Sequence, residues 1–148
     1  MKVQIEKRND GASVLRCLRP NGTVTFQKHE GKQAVFYPLH DLTHFAVESE
    51  LTRLSGFFTL VASGWEIEET TGKSARGPIP DPAMVVERIV GLLDLERGGV
   101  ARFSPGELGL SEDEIERVRR RMRELLSRWE AIPVGGMMEL TWTAPSSR

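Results

Sequence analysis

A single cysteine, Cys17, is all the thiol this chain carries, which excludes an intramolecular disulfide and any thiolate zinc cluster. An excess of one charge is missing too. Its 20 basic and 21 acidic residues leave a net charge of −1, and without a basic excess neither general nucleic-acid binding nor membrane-surface binding is expected. Long apolar runs are absent: the longest, Phe57 to Ala62, is interrupted by Thr59 and is far too short to cross a bilayer. The opening residues Met1 to Lys7 alternate rather than forming the apolar stretch of a signal peptide. These absences predict a cytoplasmic protein with no membrane partner. With 39% hydrophobic and 28% charged residues among 148, the composition is that of a soluble globular domain with a real core, and 1–148 is read as one domain.

What is present is patterned. Val3 and Ile5 alternate with Gln4 and Glu6 in a half-buried strand, and Asn9-Asp10-Gly11 turns the chain into a second strand over Ser13 to Arg19. Asn21-Gly22, a tight-hairpin dipeptide, leads into a third strand, Thr23 to Lys28, with Val24 and Phe26 on one face. Ala34 to Tyr37 is expected as a short fourth strand. Pro38 then suits the first turn of a helix over Leu39 to Leu54, whose scattered apolar residues predict burial on more than one side. Phe57 to Trp65 reads as a second short helix, and Thr70 to Asp81 as a polar loop rich in proline and glycine.

Asp81-Pro82 reads as an N-cap with proline at the first helical position, and that helix stops at Gly98-Gly99. Ser111 to Glu114 has capping-box spacing and opens the clearest helix, to about Glu130. Met138, Leu140 and Trp142 alternate in a last strand, and the residues after Pro145 are expected to fray. Strands, then helices, then a strand predict an α+β fold. Its antiparallel sheet would hold four to five strands, an N-terminal meander plus the C-terminal strand, with three to four helices mainly on one face.

One segment stands out chemically. His40-Asp41-Leu42-Thr43-His44 holds two of the three histidines, and residues at i and i+4 share one side of a helix. Two imidazoles so placed can bind one divalent metal, zinc among them. The pentapeptide resembles the His-Glu-x-x-His signature of zinc metalloproteases, in which the histidines hold zinc and the acid is the general base. The resemblance implies His40 and His44 as ligands and Asp41 as the base. It covers five residues, departs by having Asp for Glu and lacks an obvious third histidine, so the chain is not assigned to that family. Glu48 continues the row, but i and i+8 lie about 12 Å apart along a helix. It is therefore better placed to orient His44 through a hydrogen bond. Glu66, Glu68 and Glu69 are the candidates for a further ligand, and Lys73 and Arg76 for contacts from the loop.

Other readings compete. The histidines suit the edge of a core equally well, with Asp41 complementing the helix dipole; the protein is then a non-catalytic interaction or structural module, and a homodimer through a sheet edge would fit it. The arginines from Arg117 to Arg128 look basic, but acids at i−4 (Asp113, Glu116, Glu124) make a solvated charged face the simpler expectation than a nucleic-acid surface. Thr71-Gly72-Lys73-Ser74 lacks the upstream glycine of a phosphate-binding loop, having Ile67 there. Trp129 and Trp142 suit a core, Trp65 a core or pocket wall, and Cys17 a buried inert thiol. The function expected is that of a metal-binding protein, with metal-dependent hydrolysis as the activity if it is an enzyme.

Overall fold

The computed structural model describes residues 1–100 and 102–143; the fraying expected after Pro145 lies outside them. The alternating segments become strands β1 (Lys2–Lys7), β2 (Ser13–Leu18), β3 (Val24–His29) and β4 (Met137–Thr141) of one sheet in the order β3-β2-β1-β4. All pairings are antiparallel, and the register puts Thr25, Cys17, Val3 and Leu140 on one rung and Gln27, Leu15, Ile5 and Met138 on the next. The apolar members of these rungs are buried beneath helices α1 (Lys32–Glu50), α2 (Phe57–Ala62), α3 (Asp81–Arg97) and α4 (Glu112–Ala131). The class is therefore α+β, a four-stranded antiparallel sheet with its helices on one side.

The helix signals near the C-terminus translate directly. Ser111 Oγ accepts from the Glu114 amide and the Glu114 carboxylate accepts from the Ser111 amide, each at 3.0 Å, closing a capping box at the start of α4. Its apolar stripe, Ile115, Val118, Met122, Leu125 and Trp129, is buried. Arg119 lies on that buried side as well and pairs with Glu96 of α3 and with Glu116. Arg117 pairs with Asp113, whereas Arg121 takes Glu124. Thus two of the three acid-first pairs expected on this face, Glu116–Arg120 and Glu124–Arg128, give way to i, i+3 partners.

Several elements differ from expectation. Ala34 to Tyr37 is not a strand: α1 begins at Lys32, so Pro38 sits inside the helix rather than in its first turn. Proline there forgoes one i→i−4 hydrogen bond, to the Ala34 carbonyl. The helix continues through it because Tyr37 stacks on His29 at 4.1 Å and the following turns are buried against α3, α4 and the sheet. At its far end α1 stops at Glu50, four residues short of Leu54. Strand β3 turns its polar side inward: Val24 and Phe26 are exposed while Thr25 and His29 are buried, with Thr25 Oγ1 accepting from the Ile67 amide at 3.0 Å. Finally, Asp81 does not cap α3, which starts after Pro80 with no side-chain cap.

Candidate metal centre

Helix α1 brings His40, Asp41, His44 and Glu48 to its contact with α3, and α3 answers with Glu87 and Asp94. The two acids are seven residues apart, two helical turns, and so share a face. One ligand atom from each of His40, His44 and Glu87 lies within 4.8 Å of the others. His44 Nε2 is 3.2 Å from Glu87 Oε1. Two donors bound tetrahedrally to zinc at about 2.0–2.1 Å stand about 3.3 Å apart, so this pair is already at the right separation.

Each imidazole is also anchored from behind. His40 Nδ1 donates to Asp94 Oδ2 at 2.6 Å, and Arg97 steadies that carboxylate from 2.7 Å while also donating to Thr43 Oγ1. His44 Nδ1 donates to Glu48 Oε2 at 3.0 Å, and the other oxygen of Glu48 accepts the Phe58 amide at 2.9 Å. A carboxylate on one ring nitrogen fixes the tautomer and presents the other nitrogen to an ion.

Charge follows from this packing. Burial alone would push His44 down, but hydrogen bonds and charges from Glu48 and Glu87 outweigh it and raise its pKa to about 10. Burial opposes ionisation of Glu87 too, yet His44 holds that carboxyl below its usual value. Asp94 is likewise lowered, by His40 and Arg97 against its burial. Asp41 differs. Burial lifts its carboxyl to about 7, with His40 and His44 only partly offsetting it. Burial also lifts the Cys17 thiol, to about 12, as befits an inert residue.

Glu48 fits because Gly56 has no side chain. A Cβ there would lie 2.7 Å from the Glu48 carboxyl carbon and 2.8 Å from Val86 Cγ1, closer than atoms can pack. Gly56→Ala is accordingly expected to cost about 1–3 kcal/mol of stability through overpacking, and to weaken metal binding about 10–100-fold by displacing the group behind His44. Urea denaturation and a zinc titration check the two effects separately; an unchanged zinc affinity would show that Glu48 does not transmit to the centre.

A cleft of about 250 Å³ opens over the cluster. His40, Asp41, His44 and Glu87 form its floor; Gln27, Tyr37, Phe57, Ile67 and Ile79 stand around it, with Thr70 and Thr71. The loop after Thr70 thus borders the site through Thr70, Thr71 and Ile79. Lys73 and Arg76 do not line it. Lys73 is exposed, and Arg76 pairs with Glu69 at 3.1 Å and lies over the Trp65 ring.

The further ligand expected among Glu66, Glu68 and Glu69 is not found there. Glu66 and Glu69 close a capping box on a 3-10 turn, Ile67–Thr71. Glu66 faces Arg19 and Glu69 faces Arg76, while Glu68 is exposed. The nearby carboxylates come from α3 instead. Sequence reasoning missed Glu87 and Asp94, and the one signal for them was their placement beside the apolar stripe Val86, Ile89, Val90 and Leu93.

No protein-family model, curated protein or solved structure matches this chain. Among the described residues no helix is long and apolar enough to cross a membrane.

Proposed function

We propose that the protein binds one divalent transition-metal ion through His40, His44 and Glu87 and uses it for hydrolysis. The observation that carries this is the convergence of the three donors within 4.8 Å, with a carboxylate behind each imidazole. Two imidazoles and a carboxylate are the donor set of several catalytic zinc sites, in which three protein ligands leave a position for water. Zinc is the ion this set suits best, since it takes nitrogen and oxygen donors in tetrahedral geometry.

Asp41 supplies what such a site still needs. Its carboxylate lines the cleft, makes no hydrogen bond with the protein among the described residues, and titrates close to neutrality. A general base works best with a pKa near the working pH. A bound ion would supply Lewis acidity towards the bond to be cleaved, and Asp41 would accept the proton of the attacking water.

The test is elemental analysis of protein purified without chelators or a metal-affinity step, beside the His40→Ala/His44→Ala variant. About one ion per chain in the wild type and none in the variant is the expected result. Equal metal content in both, or none in either after incubation with zinc, would end the proposal.

A further inference from the structure

Building on that reading, we infer that the cleft takes a small ligand that is uncharged in solution, carrying one metal-binding polar group and one apolar group, and rejects phosphate and sulfate esters. The first reason is charge. Among the described residues, the ionisable side chains lining the cleft are His40, Asp41, His44, Glu87 and Tyr37, with no lysine or arginine. With a divalent ion bound, neutral imidazoles and both carboxylates ionised, the floor carries a formal charge of zero. Recognition of phosphoryl groups relies on arginine, lysine or a cluster of backbone amides. Here a dianion would have the ion alone to balance it, already neutralised by Asp41 and Glu87, and its second charge would go uncompensated in a partly buried setting.

The second reason is how the walls are made. Phe57, Ile67 and Ile79 give an apolar surface beside the ion, and Ile67 is buried at the turn that carries the two threonines. Thr70 and Thr71 spend their hydroxyl hydrogens on the carbonyls of Ile67 and Glu68. The Gln27 amide and Tyr37 hydroxyl, by contrast, make no hydrogen bond with the protein among the described residues. They are the groups left to orient a ligand, one able to donate and accept through an amide, the other through a phenol. A polar head on the ion, an apolar body on Phe57 and Ile79, and a second polar atom near Gln27 fill the available features. The cleft is below the usual range for drug-sized ligands, about 300–1,000 Å³, which restricts the occupant to a compact molecule.

Cobalt(II)-loaded protein tests this, since its visible absorption reports both occupancy of the centre and changes in its ligands. Benzohydroxamic acid, uncharged at pH 7, and inorganic phosphate would be titrated into it. The expected result is a spectral change with benzohydroxamic acid at a Kd at least about tenfold below that for phosphate. Gln27→Leu should weaken the hydroxamic acid several-fold and leave the starting cobalt spectrum unaltered. A phosphate affinity equal to or above that for benzohydroxamic acid would overturn the inference while leaving the metal centre standing. Failure of cobalt to bind, or cobalt bands that survive in His40→Ala/His44→Ala, would overturn the metal reading and the inference with it.

Discussion

Glu48→Ala is expected to lower the unfolding free energy of the metal-free protein by about 3–5 kcal/mol, the usual cost of stripping one partner from a buried ion pair. Glu48 is 0% exposed and both of its carboxylate oxygens are in use, one on His44 and one on the Phe58 amide. Its removal leaves a buried imidazolium short of one counter-charge and a buried amide without an acceptor. It also leaves a hole beside Gly56. Glu48→Gln keeps an oxygen to accept from Phe58 and fills the hole, but it loses the charge and sets an amide NH2 against the His44 Nδ1–H, so it should fall between alanine and wild type. Urea denaturation at pH 7 measures all three. A loss below about 1 kcal/mol for alanine, within the range of an ordinary surface change, would show that His44 is not charged in the folded protein.

The second large effect is on metal affinity as a function of pH. In the metal-free protein His44 keeps its proton up to about pH 10, held between Glu48 and Glu87. An ion can use its Nε2 only once that proton leaves. Binding is therefore expected to strengthen about tenfold per pH unit from neutrality towards pH 10, one proton being released per ion. Below about pH 7 the slope should steepen, because the ion also favours ionised Asp41.

Folding stability without metal has the opposite sign. His44 is raised from 6.5 to about 10. Its contribution is complete below pH 6.5 and is lost as pH rises through 10. Asp41 is raised from 3.8 to about 7, so its contribution is complete below pH 3.8 and lost as pH rises through 7. Glu87 and Asp94, both lowered, contribute above their unfolded values and lose that contribution in acid. Calorimetric zinc titrations in buffers of different ionisation enthalpy count the protons released. No release at pH 8 would refute the buried imidazolium.

Much of this architecture could be read from local chemistry. The Asn21-Gly22 turn, the Ser111 capping box and the alternation of Met138, Leu140 and Trp142 each determine structure within a few residues, and each gave the element expected of it. The start of α1 could not be read that way. Val35, Phe36 and Tyr37 favour a strand locally, and Pro38 looks like a beginning. Stacking of Tyr37 on His29 and burial of the later turns override both preferences.

The centre divides along the same line. His40, Asp41, His44 and Glu48 declare themselves by spacing on one helix. Glu87 and Asp94 share spacing of their own, but which face of α3 meets α1 depends on packing that no local pattern encodes. Glu66, Glu68 and Glu69 do not line the cleft for a related reason. That stretch is tied to β3 through Ile67 and Thr25, Glu66 and Glu69 turn to arginines, and Glu68 is exposed.

The sheet order carries a consequence for how the protein comes into being. Strand β1 is interior, yet one of its two neighbours is β4. The bond between them is tight at both ends: Met1 and Trp142 exchange hydrogen bonds at 3.0 and 2.8 Å, and the Lys7 amide donates to the Gly136 carbonyl at 2.9 Å. On a ribosome, β1 is made well before β4 and has one edge open until β4 follows. Every side chain of the histidine cluster, through Asp94, is made in that interval. Trp142 then arrives against Phe45 and Phe58, next to His44 and Phe57 in the chain. Strand β4 is thus the one that closes the core beneath the helix bearing the histidines, and a nascent chain can possess all of the candidate ligands before it possesses the strand that holds them still.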